Sequence, residues 1–459
     1  MLLMILIIVA VLMFSYILMG TEQVNRINRA AVAMFSGVLV WILYMFHAGD
    51  FIHLVRPDEY MSFLHGAAST TSSVKEFVSN NILSTYIAEA CSVILFLIAT
   101  NTILEMMSSN GVFDALTRWM RMRNSRRFLW LLSFITFIIS ANVDNLTTVV
   151  LMMGLVGKIV KSRYQRQIFA CTILVSALLG GCFTVIGDMT SLVLWVRGVI
   201  TPSAFSAGMF LPCVASMVTF NVLLSTMLKG DVETKSIITN YDMSESFLSN
   251  WQKIVFLLIG IGGLWFIPSF HSLTKLPPFL GALCVLSLLW VVEGIFNFKR
   301  NGIALFVQRN YLRNTEFIGM RIILYFIGVA LGAGALKECG ALGYCAEWLE
   351  AHVHNIYIYG ALLSVMSSVV DNVPVVMMGL NMFPMDVADS ASAFAQNGFY
   401  WQMLAYCCAM GGSLLFVGTL AGQAVLQIEH LSISWYVRHY AWRVIVAWSV
   451  GVLVFWMTH

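Results

Sequence analysis

Apolar runs recur from one end of the chain to the other, separated by short polar stretches. About 20 such residues are what a helix needs to cross a bilayer. The runs are continuous, with no alternation of polar and apolar positions, so they predict helices and not barrel strands. Full spans are expected at 2–19, 30–48, 82–104, 168–196, 208–228, 253–270, 278–297, 318–336, 399–427 and 440–457. The first run, "LLMILIIVAVLMFSYILM", has no basic region before it and no small-residue cleavage site after it. It reads as a membrane helix and not as a leader.

Two further apolar stretches, 128–157 and 356–384, break the pattern. The first is entered through "RWMRMRNSRR" and left through "KIVKSRYQR". Lys and Arg are retained on the cytoplasmic side, so a segment with two basic ends does not cross. It is expected to dip in and return as two half-helices, with Asp144 near the turn. Placing 21–29, 105–127, 158–167, 229–252, 298–317 and 428–439 inside leaves only Arg56, Lys75, Arg197, Lys275 and Lys337 outside, of 26 Lys and Arg. Both ends of 356–384 then lie outside, with flanks that carry no Lys or Arg.

Four units follow. Residues 1–81 form peripheral N-terminal helices. Residues 82–228 form a first repeat with hairpin 128–157 and a helix at 168–196. Residues 229–317 connect, and 318–459 repeat the first unit upside down with hairpin 356–384 and a helix at 399–427. Inverted repeats of this kind build secondary transporters, whose sites lie near the midplane where the repeats meet. The fold class is an all-α polytopic membrane protein with about ten spanning helices, two re-entrant hairpins and two broken helices.

Composition adds that no soluble domain is present. The 459 residues are 59% hydrophobic and 11% charged, against roughly 25% charged in soluble domains. The net charge of +3 matters less than its distribution. Nine cysteines are scattered without a CxxC pair, Cys407 and Cys408 being adjacent, and they read as small buried hydrophobes. His352 and His354 lack further ligands nearby and read as loop residues.

The candidate chemistry sits in the odd stretches. "SANVDNLTTVV" and "SSVVDNVPVV" share Ser, Val, Asp, Asn and Val at matching positions (140, 143, 144, 145, 149 and 367, 370, 371, 372, 376). An ionised Asp in a bilayer interior costs roughly 2.5–3.5 kcal/mol or more, and such residues mark ion and proton paths. Asp and Asn also cap helices, and Pro374 falls in a first turn, where its missing N–H is harmless, so a half-helix can start after each Asp–Asn pair. Each hairpin is followed by paired glycines in mid-span, "GGCFTVIGDMTS" at 180–191 and "GGSLLFVGTLAG" at 411–422. Gly180, Gly181, Gly187, Gly411, Gly412 and Gly418 are read as helix breaks that free backbone carbonyls. Carboxylate, amide, hydroxyl and carbonyl oxygens together suit a small hard cation. A cation binds only the ionised carboxylate and a proton neutralises it, so the two compete for one group.

Other acids rank lower. Glu89 stands open between a proton relay and a packing ion pair. Glu105, Glu293, Glu316 and Glu338 lie near span ends, where they can reach water. His47, His53 and His65 read as solvated loop residues.

At "SANVDNLTT", "GGCFTVIGDMTS", "SSVVDNVP" and "GGSLLFVGTLAG" the sequence resembles the NhaD-type sodium/proton antiporters of the ion transporter superfamily, over roughly residues 80 to 455. The resemblance implies Na⁺, often Li⁺, exchanged for H⁺ across a bacterial cytoplasmic membrane, with no cofactor. It implies homodimers in which a transport unit moves against a scaffold. It points to Asp144, Asn145, Thr147, Thr148, Asp188, Thr190, Asp371, Asn372, Ser413 and Thr419 as the cation- and proton-binding set, with Na⁺ near Asp144 and Asp371. The second hairpin has Pro374-Val375 where the first has paired threonines, so the halves need not bind ions equivalently. The partners implied are Na⁺, Li⁺, H⁺ and the lipid bilayer, and no nucleic acid. Two alternatives are weaker. Sodium-coupled uptake of an organic acid or export of an oxyanion would place an anion at tips that here carry aspartates. An intramembrane aspartyl protease needs a GxGD sequence, and the text here is "VIGD".

Overall fold

The computed structural model describes residues 1–113, 120, 122–233, 249–298, 312–389 and 392–458, without the side chains of 23, 24, 297, 298 and 312–319. Much of the expected inner loops 105–127, 229–252 and 298–317, and the side chain of Glu316, lie outside this set. The described residues are helical nearly throughout, with two isolated bridges, Asn124 to Asp231 and Asp386 to Ala395. Among them nine helices are long and apolar enough to cross a membrane. A tenth is formed if Arg29–Met45 and Ala48–Val55 count as one span bent by 90°. The chain is an all-α polytopic membrane protein.

Most expected spans recur with longer ends. The third begins at Thr71 and passes through a π-helical segment, Val78–Leu83, before Ser84–Ser109. Short helices Pro57–Leu64 and Ala341–His352 occupy stretches read as loops.

Both odd stretches are helix–break–helix. Asn124 caps Ser125–Ser140 by accepting from Arg126 N at 3.0 Å and Arg127 N at 3.1 Å. The chain then breaks and restarts as Asn145–Ile159. The second pair is Ile356–Val369 and Asn372–Met382. These helices have 16, 15, 14 and 11 residues. At about 1.5 Å per residue each falls short of the roughly 30 Å hydrocarbon core. The helices do break near the mid-span glycine blocks, Arg163–Cys182 being followed by Met189–Val196 and Phe399–Leu415 by Leu420–Glu429, with Gly187 and Gly418 in the breaks. Gly180, Gly181, Gly411 and Gly412, read as breaks from the sequence, are instead helical, because they serve close packing.

Each hairpin packs its entering helix against the broken helix of the same half, and glycine makes the approach possible. A methyl group at Gly180 would lie 2.9 Å from Phe137 Cα, and one at Gly411 would lie 2.8 Å from Ser364 Cα. Both obstacles are backbone and cannot swing aside. Gly154 has nothing within 4 Å of that position. Gly180→Ala and Gly411→Ala are therefore expected to destabilise the protein by about 1–3 kcal/mol each. Gly154→Ala, in an open helix interior, should be neutral or stabilise by up to about 1 kcal/mol. Thermal unfolding in detergent separates the two classes, and equal midpoints for all three variants would contradict this packing.

The two halves interlock. Arg166 Nε donates to Glu429 Oε1 and Oε2, both at 3.1 Å, and Ser216 Oγ meets Tyr406 Oη at 2.7 Å. Helix Pro202–Ser225 packs along Trp442–Thr458. Helices Leu2–Gly20, Arg29–Met45, Ser84–Ser109, Asn250–Thr274, Pro278–Phe298 and Leu312–Glu338 flank this core.

Candidate functional site

The site is assembled at the four breaks. Asp144 is the N-cap of its half-helix, with Oδ2 accepting from Leu146 N at 3.1 Å and Thr147 N at 3.4 Å. Asp371 caps the other, with Oδ1 accepting from Asn372 N at 2.8 Å. Capping is what both side chains do locally. It leaves a carboxyl group at each hairpin tip.

The neighbouring amides do matching work in the two halves. Ser140 Oγ donates to Asn145 Oδ1 at 2.7 Å, and Ser367 Oγ lies 2.7 Å from the Asn372 amide. Asn145 faces Gly181 in the first broken helix, and Asn372 faces Gly412 in the second. With its nitrogen turned as donor, Asn372 reaches Cys408 O at 3.1 Å and Gly418 O at 3.2 Å. Gly187 abuts the Ser140 carbonyl, and Gly418 abuts that of Ser367. Each hairpin tip is thus seated in the break of its own half's broken helix, through side chains too short to allow drift.

Asp188 is buried at the restart of the first broken helix, where Thr190 Oγ1 donates to its Oδ2. Asp144, Asp188 and Asp371 thus stand at three of the four helix breaks. Thr184, at the break, donates to Ala141 O at 2.5 Å and accepts from Gly187 N at 3.1 Å.

The remaining sequence candidates are less uniform. Thr148 Oγ1 bonds back to Val143 O at 3.4 Å. Thr419 caps Leu420–Glu429 by accepting from Gly422 N at 2.9 Å. Ser413 Oγ donates to Met410 O at 2.6 Å, while its carbonyl accepts from Tyr436 Oη at 2.5 Å. Thr147 is half-buried beside the Asp144 cap.

Asp371 differs from Asp144 in one respect that sequence reasoning missed. Arg29 Nη1 donates to its Oδ2 at 3.2 Å, and Tyr325 Oη donates to the same oxygen at 2.7 Å. Arg29 also donates to Gln423 Oε1 and, from Nε, to Glu22 Oε2 at 2.9 Å. At the start of the second span, in "NRINRA", Arg29 looks like an ordinary cytoplasmic anchor. It stands directly before the apolar run, so the sequence carries no signal that sets it apart. The helix that carries it, expected at the periphery, instead reaches the second hairpin tip.

Glu338 also departs from expectation. It does not reach water: it is 1% exposed, bound by Arg56 Nε at 2.9 Å, Arg56 Nη2 at 2.8 Å and Tyr86 Oη at 2.7 Å. Burial of a span end by the outer helices, not seen in hydropathy, is the reason. Glu89 pairs with Arg197 at 2.6 Å beside a cleft of about 400 Å³. Glu293 accepts from Asn110 Nδ2 at 3.1 Å.

Comparison with known proteins brings two kinds of match. The family described as citrate transporter matches residues 16–411. Sodium/proton antiporter 1 of Arabidopsis thaliana is 28% identical over 441 residues, covering 95% of this chain and 70% of that protein. Na⁺/H⁺ antiporter NhaD of Vibrio cholerae is 24% identical over 463 residues, covering 95% and 88%. The protein of the same name from Halomonas elongata is 23% identical over 466 residues, covering 96% and 85%.

Proposed function

The chain belongs to the citrate transporter family, and from that premise we propose that it exchanges Na⁺ for H⁺ across a membrane. It is a carrier and not an enzyme. The observation that carries this reading is the pair of hairpin tips, each presenting an aspartate and each keyed by an asparagine into a helix break. The relatives named as sodium/proton antiporters, which cover most of the chain, support it. The cation would lie among Asp144, Asp188, Asp371 and the oxygens around them, with Asn145, Thr147, Thr148, Thr190, Asn372, Ser413 and Thr419 shaping the site. Li⁺ would follow Na⁺, since both are hard cations that take oxygen ligands.

The coupling needs no further machinery. An ionised carboxylate in a dry interior is costly unless a cation or a proton neutralises it. Na⁺ and H⁺ therefore exclude one another, and only neutralised states move. The matching contacts of the two halves support hairpins that enter from opposite faces, as an inverted repeat. The flanking helices would serve as scaffold and homodimerisation would steady it. The bacterial relatives named NhaD support a bacterial cytoplasmic membrane, and the charge distribution puts the basic loops inside. The citrate reading of the family's description is disfavoured by the three acids, which repel an anion.

Asp188→Asn is expected to shift the ion competition without removing the hairpin tips. In wild type, lowering pH by one unit should raise the Na⁺ level for half-maximal exchange by up to about tenfold, because each added proton competes for the same carboxylates. The variant should show a shallower dependence, and an unchanged profile would assign Asp188 a purely structural part. Proteoliposomes carrying a pH-sensitive dye, challenged with Na⁺, Li⁺, K⁺ and citrate, test the function as a whole. Proton movement with citrate and none with Na⁺ would overturn it.

A further inference from the structure

We propose that Arg29 is a tethered counter-ion that locks the carrier when neither Na⁺ nor H⁺ is bound. This rests on the exchange reading above. Arg29 and Tyr325 converge on one oxygen, Asp371 Oδ2, from two helices outside the hairpin units. Those helices are packed tightly against one another. A methyl at Gly37 would lie 3.2 Å from Gly328 Cα, and Trp41 Nε1 donates to Leu331 O at 3.0 Å across the same seam. The acceptors, Asp371 and Gln423, belong to the second hairpin and the second broken helix. Every one of these bonds therefore crosses the boundary between flanking helices and site.

The energetic logic follows from burial. The Arg29 and Asp371 side chains are 8% and 13% exposed. Separating such a pair leaves an uncompensated charge in a dry place, which is strongly unfavourable. An empty, ionised Asp371 consequently holds its half of the site against the flanking helices. When Na⁺ or H⁺ reaches Oδ2, the carboxylate no longer needs the guanidinium. Arg29 is not orphaned then, because Glu22, on the same side of the boundary, remains at 2.9 Å from its Nε. The guanidinium is paired in both arrangements, so the loss of Asp371 as a partner releases the unit at little cost. Tyr16, Arg29, Tyr325, Asp371 and Gln423 line a narrow cleft at this spot. The buried Tyr16 hydroxyl there has no hydrogen-bond partner among the described residues, leaving it free for an entering ion or its water.

An exchanger that obeys this lock cannot return empty. Two fluxes from proteoliposomes test it at equal, alkaline pH on both sides with the voltage clamped: net ²²Na⁺ efflux into Na⁺-free medium, and ²²Na⁺ exchange against equal Na⁺. Wild type should show a low ratio of net efflux to exchange. Arg29→Gln is expected to raise that ratio at least about tenfold, matching the loss of one charge-assisted bond, with fewer protons moved per Na⁺. Arg29→Lys, which keeps the charge, should hold the ratio near wild type. Tyr325→Phe removes one hydroxyl and should raise the ratio about threefold, as for a weaker neutral donor. If Arg29→Gln does not insert, Tyr325→Phe decides alone. A wild-type ratio in Tyr325→Phe and in any Arg29→Gln that inserts would overturn the lock while the exchange reading stands. A wild-type protein that moves no Na⁺ in either mode would overturn the exchange reading, and the lock with it.

Discussion

Asp144→Asn is expected to cut Na⁺-driven proton movement by about 100-fold or more while leaving the fold intact. Losing one charged ligand to a buried cation is worth about 3 kcal/mol, which is a hundredfold in an equilibrium constant. The fold should survive because Asp144 has local duties an amide can take over. Its Oδ2 accepts from Leu146 N and Thr147 N, and an asparagine oxygen accepts both equally well. Everted vesicles with a pH dye measure the transport, and detergent unfolding of the same preparation measures the fold. Undiminished exchange would remove Asp144 from the mechanism. Asp371→Asn should lose exchange too, but it differs in kind, since it also removes the charge that ties Arg29 to the second hairpin.

Glu338→Gln is expected to be the most destabilising single change away from the site, by about 3–5 kcal/mol, the range for breaking a buried ion pair by removing one partner. Both carboxylate oxygens of Glu338 are committed to Arg56, and one also to Tyr86, in a pocket where the glutamate is 1% exposed. The amide keeps the shape and loses the charge, so Arg56 is left with Glu59 alone, at 2.8 Å and mostly exposed. Replacing the pair together, with Arg56→Leu and Glu338→Leu, should recover much of the loss, because paired removal strands nothing. Thermal midpoints of the single and double variants settle it. A single variant that melts with wild type would show the pair to be dispensable.

The route to the site ran through side chains whose local role was visible in the text. Asp144 and Asp371 announced themselves by being charged where charge is expensive, and their Asn neighbours by repeating with them. The glycine blocks pointed to the neighbourhood of the breaks, although Gly180 and Gly411 are themselves helical and serve close packing. Arg29 and Tyr325 gave no such signal. Arginine at the inner end of a span and tyrosine within one are ordinary, and their partner Asp371 lies hundreds of residues away from Arg29. Glu338 misled in the opposite direction, because the end of an apolar run is exposed only if nothing folds over it.

Hydropathy, basic flanks and helix punctuation, all short-range properties, determined the membrane class, the spans and the two interrupted helices, together with the acids at their breaks. They suffice there because a bilayer makes every polar group answer locally for its cost. Which oxygens face which, and that a cation from the second helix already occupies one aspartate, was decided only when distant helices packed. Backbone contacts at Gly180 and Gly411 set those distances, and close packing of that kind depends on the shape of both partners at once.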